Sequence, residues 1–149
     1  MTEYRLHKRL GYRASRLTKI MQNRLETALS EHGLTRLMWC VMTGVGEEGV
    51  QTPSELADYV GVTRPTISRL LKSLEARGLL QRINGSTRDG RSVRIELTAR
   101  GQQITDSMRG VVDQINSHFT TKLSPEHLAA VLSGLELLAD GEEQSLTDF

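Results

Sequence analysis

The sequence has few of the residues that mark secreted, membrane-embedded or metal-binding proteins. A single cysteine, Cys40, excludes a disulfide within the chain, and a lone thiol suits a reducing cytoplasm. No apolar run is long enough to span a bilayer, and the charged first ten residues do not resemble a secretory signal. The four histidines lack metal-ligand spacing. We therefore expect a cytoplasmic protein with no membrane segment, no metal and no other cofactor.

Aromatic residues are also scarce, at 4% of the chain, whereas leucine and valine are frequent, which favours a mostly helical packing. The 149 residues are 38% hydrophobic and 25% charged, as expected for one globular domain, 1–149. The sequence contains no phosphate-binding glycine loop, nucleophile elbow or convergent acid and base. We therefore do not expect an enzyme.

Charge is distributed unevenly along the chain. Residues 61–100 contain nine cations and three anions, a net charge of +6, and residues 101–149 have a net charge of −6. A basic middle beside an acidic end is typical of a localised site for a polyanion. The alternative is a chance scatter of solvated charges.

Apolar residues at helical spacing predict long helices at both ends of the chain. The first covers residues 4–30. Near the other end, Thr98 is placed to cap a long helix, and Ser124-Pro125-Glu126 starts the last one. Between them, Thr35 caps a second helix that ends near Gly44 and Gly46.

Two short helices and a hairpin follow in the middle of the chain. Thr52-Pro53-Ser54-Glu55 is a capping box with proline at the first helical position, and after a turn at Gly61 Thr63 caps the next helix, to about Arg77. Residues 79–83 and 93–97 alternate like paired strands. The predicted fold is mainly α with a small β-hairpin (α+β): a winged helix-turn-helix lobe over 35–98, with terminal helices in 1–30 and 99–149.

The fourth helix presents a face suited to duplex DNA. Opposite its apolar stripe lie Pro65, Arg69 and Lys72, so a cationic face with small residues can enter a major groove. Arginine offers a bidentate donor to guanine, and serine and threonine reach bases or phosphates. The alternative is an ordinary solvated helix face. The candidate DNA-binding residues here are Ser54, Thr63, Arg64, Pro65, Thr66, Ser68, Arg69 and Lys72.

The hairpin tip adds further candidates for the same partner. Arg88 and Arg91 are placed to meet the minor groove, whose negative potential attracts guanidinium groups. Phosphate repels a carboxylate, so Asp89 is interpreted as a partner that orients Arg91 or another arginine. The alternative is a merely soluble loop.

These motifs together resemble the MarR-type regulators over almost the whole chain. The resemblance rests on the order and spacing of several short segments: Gly33-Leu34-Thr35, Ser54-Glu55-Leu56-Ala57, 62–70, 74–79, Asp89-Gly90-Arg91 and Leu97-Thr98. The chain departs from the family at Gly90, often a basic residue, and at Met38, often a glutamine. The first departure affects the wing contacts, where Arg88 can compensate.

The resemblance implies a homodimer joined by the first and last helices that acts mostly as a repressor at an inverted-repeat operator in double-stranded DNA. Broad apolar stripes on the terminal helices agree with dimerisation, because a small central lobe cannot cover them. Family members commonly bind a small, often aromatic or phenolic, anion and then release DNA. The alternative is a winged helix used only for protein–protein contact, without ligand sensing. That version needs no cationic recognition face.

Candidates for such a small-molecule effector site are Tyr12, Arg13, Arg16 and Trp39. The two arginines flank the apolar stripe of the first helix, and the aromatic residues are placed to border the same crevice. The alternative is that both arginines are surface residues whose stems cover apolar area. Cys40 is interpreted as a small buried hydrophobe, because no second cysteine is present to resolve an oxidised thiol.

Overall fold

A computed structural model describes residues 3–84 and 93–142 of the chain, and within them it has six α-helices and one antiparallel β-hairpin. This confirms the predicted fold class. No helix in these two ranges is long and apolar enough to cross a membrane. In chain order the elements are α1 (Leu10–Ser30), α2 (Arg36–Gly46), α3 (Pro53–Val60), α4 (Arg64–Ala76), β1 (Leu80–Asn84), β2 (Val93–Leu97), α5 (Ala99–Thr120) and α6 (Pro125–Ala139).

Hydroxyl side chains start five of the six helices. In each case the hydroxyl oxygen of a serine or threonine accepts a hydrogen bond from the backbone N–H three residues later, which satisfies one of the free donors of the first turn. The predicted caps are therefore confirmed. They are Thr35, Thr52, Thr63, Thr98 and Ser124.

The predicted start of the first helix is wrong by six residues. The helix begins at Leu10, and it is preceded by a single 3₁₀ turn, Leu6–Lys8, and an extended Arg9 with φ −76° and ψ 141°. No side chain caps this start. All of residues 3–10 are exposed, so burial does not hold these residues in a continuous helix.

The core lies between α2, α3, α4, the hairpin and the first half of α5. The centrally placed α2 is apolar on several sides, and Val41 and Met42 are fully buried. From α4 the residues Ile67, Leu71 and Leu74 point into the same core, whereas the predicted core residue Leu70 is only half-buried. The other fully buried large side chains are Leu29, Leu56, Leu79, Ile95 and Met108.

The hairpin is fixed to the helices on both sides. β1 and β2 pair in antiparallel register with Leu80 opposite Leu97, and the N–H of Ile95 donates to the carbonyl of Gln51 at 2.7 Å. Just after β2, Gly101 in the first turn of α5 lies directly against the backbone of Leu79. An added Cβ at Gly101 would be 2.0 Å from the Leu79 carbonyl oxygen. The hairpin therefore leaves the helical core at a defined angle.

The terminal helices expose apolar faces in the single chain. Residues of α6 are either exposed or half-buried, and none is fully buried. In α1 only Leu29, near its C-terminal end, is buried, and the first half exposes Leu10, Leu17 and Ile20. The exposed apolar residues of α6 are Val131, Leu132, Leu135, Leu137 and Leu138.

Candidate nucleic-acid interface

The helix pair α3–α4 is joined by a tight turn. Gly61 has φ 79° and ψ 42°, a left-handed conformation that favours glycine, and the N–H groups of Gly61 and Val62 both donate to the carbonyl of Ala57. Thr63 then begins α4. Its hydroxyl oxygen accepts from the N–H of Thr66 at 3.4 Å and lies 3.0 Å from the Thr66 hydroxyl. The local sequence thus sets the angle between α3 and α4.

The face of α4 away from the core is cationic and open. Pro65, Arg69 and Lys72 are exposed, while Thr66 and Ser68 are half-buried at its edge. Neither Arg69 nor Lys72 forms a salt bridge or a side-chain hydrogen bond with any described residue, so nothing in residues 3–84 and 93–142 uses their donors. Of the predicted residues, the structure brings Ser54 of α3 together with Arg64 and Ser68 of α4.

A groove of about 410 Å³ runs beside this face, between the start of α3, one side of α4 and the hairpin. Arg64 crosses part of it, and its Nη2 donates to the Ser54 hydroxyl oxygen at 3.2 Å. Hydroxyl groups, two guanidinium groups and the N-terminal end of α3 face one space, a combination suited to an anionic oxygen. The lining residues are Thr52, Pro53, Ser54, Arg64, Ile67, Ser68, Leu71, Arg82 and Val93.

Arg82 is the lining residue that the sequence interpretation missed. It lies in β1, and its Nε donates to Oε2 of Glu75 on α4 at 3.1 Å. The strand alternation gives a usable signal, because Arg82 is two residues after the buried Leu80 and so lies on the strand side that faces α4. Arg88, Asp89 and Arg91 of the hairpin tip lie outside the described residues.

A second groove, of about 390 Å³, lies along the first half of α1 and brings together Tyr12, Arg13 and Arg16. The His7 ring packs edge-to-face on Tyr12 with centroids 4.7 Å apart, and Nε of Arg13 donates to the His7 carbonyl at 3.0 Å. One guanidinium group is thus partly engaged with the 3₁₀ turn, whereas Arg16 forms no salt bridge with a described residue. The groove is completed by Leu17 and Ile20.

Trp39 does not line this groove, so its predicted position at the crevice is wrong in the single chain. Its side chain belongs to the hydrophobic core, with 9% of its surface exposed. The physical reason is the central position of α2, whose apolar faces pack against several elements at once.

The thiol of Cys40 is half-buried next to this core. Burial is the main influence on its pKa and raises it above the ordinary value, against a smaller opposing effect of Arg36. A raised pKa disfavours the reactive thiolate, which agrees with a packing role. Among residues 3–84 and 93–142 no group of three or more His, Cys, Asp or Glu residues is arranged to hold a metal ion.

The part of the chain that contains α3 and α4 matches a model of a known protein family. A family model described as "MarR family" matches residues 32–92, which include α2, α3, α4 and β1. The matched segment contains both α3 and the exposed face of α4.

Solved structures match the fold over most of the chain. BpsR of Bordetella bronchiseptica, described with regulation of DNA binding by 6-hydroxynicotinic acid, is 19% identical with a TM-score of 0.81, and covers 94% of this chain and 99% of its own. MepR of S. aureus, solved as a DNA complex, is 20% identical with a TM-score of 0.79, over 87% and 96% of the two chains. A MarR family protein of Mycobacterium tuberculosis in complex with p-aminosalicylic acid is 25% identical with a TM-score of 0.67, over 89% and 99%.

Proposed function

Because a MarR family model matches residues 32–92 of this chain, we propose that the protein is a MarR-type homodimeric transcriptional regulator that binds an inverted repeat in duplex DNA. In this proposal α4 is the recognition helix and reads the major groove, and the hairpin is the wing. Residues 35–98 form the DNA-binding lobe, and residues 1–30 and 99–149 form the dimerisation helices. The regulator represses transcription until a small anionic ligand releases it from DNA.

The free cationic face of α4 is the observation that carries this proposal. Arg69 and Lys72 are exposed without a salt-bridge partner among the described residues, next to a groove that also presents Arg64 and Arg82. Phosphate contacts from such side chains supply affinity for DNA, and contacts to base edges supply sequence preference. A winged helix used only for protein contact has no need for uncompensated cations at this place.

Dimerisation is supported by the exposed apolar faces of α1 and α6. An α-helix that buries no residue of its own in the single chain gains little from folding there, and a second copy can cover it. Two-fold symmetry then presents two copies of α4 to successive major grooves on one side of the duplex, with half-site centres about 10 base pairs apart.

The groove along α1 is our candidate for the effector site. A guanidinium group of Arg13 or Arg16 pairs with a carboxylate through two charge-assisted hydrogen bonds, while Tyr12 offers surface for a ring. Two of the similar proteins support a small aromatic acid as the class of ligand. DNA binding of the first is regulated by 6-hydroxynicotinic acid, and the second was solved in complex with p-aminosalicylic acid.

The DNA-binding proposal is tested by titrating the protein with a mixed-sequence duplex of about 30 base pairs at several salt concentrations. We expect the affinity to fall steeply with salt, because cationic side chains displace counterions from the phosphates. Lys72→Ala is expected to lower the slope of log affinity against log salt by about 1 for each lost phosphate contact, and so by about 2 for the dimer. Lys122→Ala is the matched control, since Lys122 lies beyond α5 and far along the chain from α4, and it should leave the slope unchanged. No binding to duplex DNA by the intact protein would instead favour the protein–protein module.

The effector proposal is tested by calorimetric titration with salicylate, in the presence and absence of a DNA duplex that the protein has selected. A ligand that releases DNA must bind the DNA-free form more tightly, with a coupling of about 1–3 kcal/mol, so its affinity must fall when DNA is present. The double variant Arg13→Ala/Arg16→Ala should lose the binding, whereas Lys19→Ala on the same helix should keep it. Salicylate binding that is equal with and without DNA, or unchanged in the double variant, would contradict this site.

A further inference from the structure

Arg77 connects the end of α4 to the turn between α1 and α2. It is the residue after the last turn of α4, with φ −85° and ψ 0°, and its side chain is half-buried. Its Nη1 donates to the Gly33 carbonyl at 2.5 Å and its Nη2 donates to the His32 carbonyl at 2.9 Å. The sulfur of Met38, in the first turn of α2, is 3.7 Å from Nη1. One side chain therefore joins parts of the chain that are more than 40 residues apart.

The chemistry of this junction fits arginine closely. The two carbonyls follow the last turn of α1, where Gly33 has φ +67° and the N–H of Leu34 returns to the carbonyl of Leu29. Both carbonyl oxygens lie just beyond the last turn of α1, and one planar guanidinium group donates to the two of them at once. Lysine has a point charge at the end of a flexible stem and cannot reproduce this two-pronged contact.

The junction lies between the two parts of the molecule that the proposed function must hold at a fixed distance. On one side of the junction, the far end of α1 exposes the apolar residues Leu10, Leu17 and Ile20. On the other side, α4 exposes Arg69 and Lys72. Nη1 and Nη2 of Arg77 already donate to backbone carbonyls, so Arg77 is less available as a phosphate contact than Lys72 is.

We propose that Arg77 is a positioning residue, which sets the orientation of α4 on α1 and thereby the spacing of the two α4 helices in the dimer. This inference rests on the proposed function. In a two-fold dimer, a small rotation of α4 about the end of α1 is doubled across the symmetry axis. A rigid Arg77 junction therefore makes the protein selective for one distance between half-sites, and a loosened junction tolerates several.

The test uses the intact protein and a duplex that the wild type has selected from a random library. From this duplex a series is made in which the half-sites are moved apart or together by one or two base pairs. We expect wild-type affinity to fall about tenfold or more at a shift of two base pairs, because this rotates one half-site by roughly 70° around the duplex. For Arg77→Gln we expect weaker binding at the original spacing and a loss of less than about threefold across the series.

Two further variants separate positioning from a general loss of structure or of charge. Arg77→Lys keeps the charge but replaces the planar fork with one ammonium group on a flexible stem, so it should lie between wild type and Arg77→Gln in spacing selectivity. Arg109→Lys is the control, because Arg109 also makes a tertiary contact, to Glu47 at 3.2 Å, but not with α4. It should keep the wild-type spacing profile. If Arg77→Gln does not fold, Arg77→Lys carries the comparison.

Three outcomes would overturn the inference. The first is that the affinity of Arg77→Gln depends on half-site spacing as sharply as that of wild type and is lower by the same factor at every spacing, which is what reduced stability alone produces. The second is a salt slope lowered by about 2 for the dimer of Arg77→Gln, about 1 for each chain, which would make Arg77 a phosphate contact. The third is a broad wild-type profile. Failure of the wild type to select any duplex would contradict the proposed function itself, and so is distinct from all three.

Discussion

At the scale of single residues, Arg69 and Lys72 lie on one exposed face of α4 but offer different donors. Arginine presents a rigid fork that matches the two acceptors of guanine, whereas lysine acts as a mobile point charge. We expect Arg69→Ala to cost about 1–3 kcal/mol and to relax the preference at particular base pairs, and Lys72→Ala to weaken all sequences similarly. Selection from a random duplex library measures both effects. An unchanged consensus for Arg69→Ala would contradict the assignment.

The contact of Gly101 with the backbone of Leu79 leads to a prediction about stability. An added Cβ would lie 2.0 Å from a backbone oxygen, which cannot move without displacing the hairpin, so Gly101→Ala should lower the free energy of unfolding by about 2–3 kcal/mol. Gly110 in the same helix has open space around its missing Cβ, and Gly110→Ala should raise stability by about 0.5–1 kcal/mol. Urea denaturation of both variants checks the pair. Equal effects of the two substitutions would contradict the packing argument.

The exposure and placement of side chains were predictable where they depend on local pattern and not where they depend on tertiary contacts. The exposure of Arg69 and Lys72 follows from helical periodicity, which sequence displays directly. Arg77 and Arg82 were missed because their partners, Gly33 and Glu75, come from other elements. Trp39 was misplaced because α2 is apolar on several sides, so periodicity does not say which side faces a groove.

At the scale of elements, the starts of helices were the most predictable feature. Five helices begin at a residue whose hydroxyl group accepts a hydrogen bond from the N–H three residues later, so the information that fixes the start is local. These residues are Thr35, Thr52, Thr63, Thr98 and Ser124. The start of α1 has no such cap, and the apolar spacing typical of a helix already begins in residues 4–9, before the helix itself begins at Leu10. Its boundary therefore depends on packing, which the pattern alone does not specify.

The last helix provides the prediction at this scale. A chain that ends before Ser124 lacks α6, which buries no residue in the single chain but exposes four leucines and a valine. We expect the truncated protein to lose the dimer while keeping the α2–α4 core, and to protect no inverted repeat in a footprint. Sedimentation measures the loss of the dimer, and far-UV circular dichroism checks that the α2–α4 core is kept. A truncated monomer with full affinity for the selected duplex would contradict the requirement of a dimer for DNA binding, and a truncated protein that is still a dimer would show that dimerisation does not depend on α6.

At the scale of the whole molecule, charge and apolar surface are separated along the chain. The net +6 of residues 61–100 covers α4 and the hairpin, whereas the net −6 of residues 101–149 covers α5 and α6. A duplex is therefore attracted to one lobe and repelled from the helices proposed to pair. The sequence alone shows this separation of charge, but only the structure shows that the cations of α4 lie on an exposed face.

Selection of duplexes from a random library by the intact wild-type protein tests the central claim most directly. The account predicts an enriched inverted repeat whose half-site centres lie about 10 base pairs apart, bound by two chains per duplex. It also predicts that the double variant Arg69→Ala/Lys72→Ala enriches no such repeat. Recovery of the library without enrichment by the wild type, or enrichment of a single half-site bound by one chain, would contradict it.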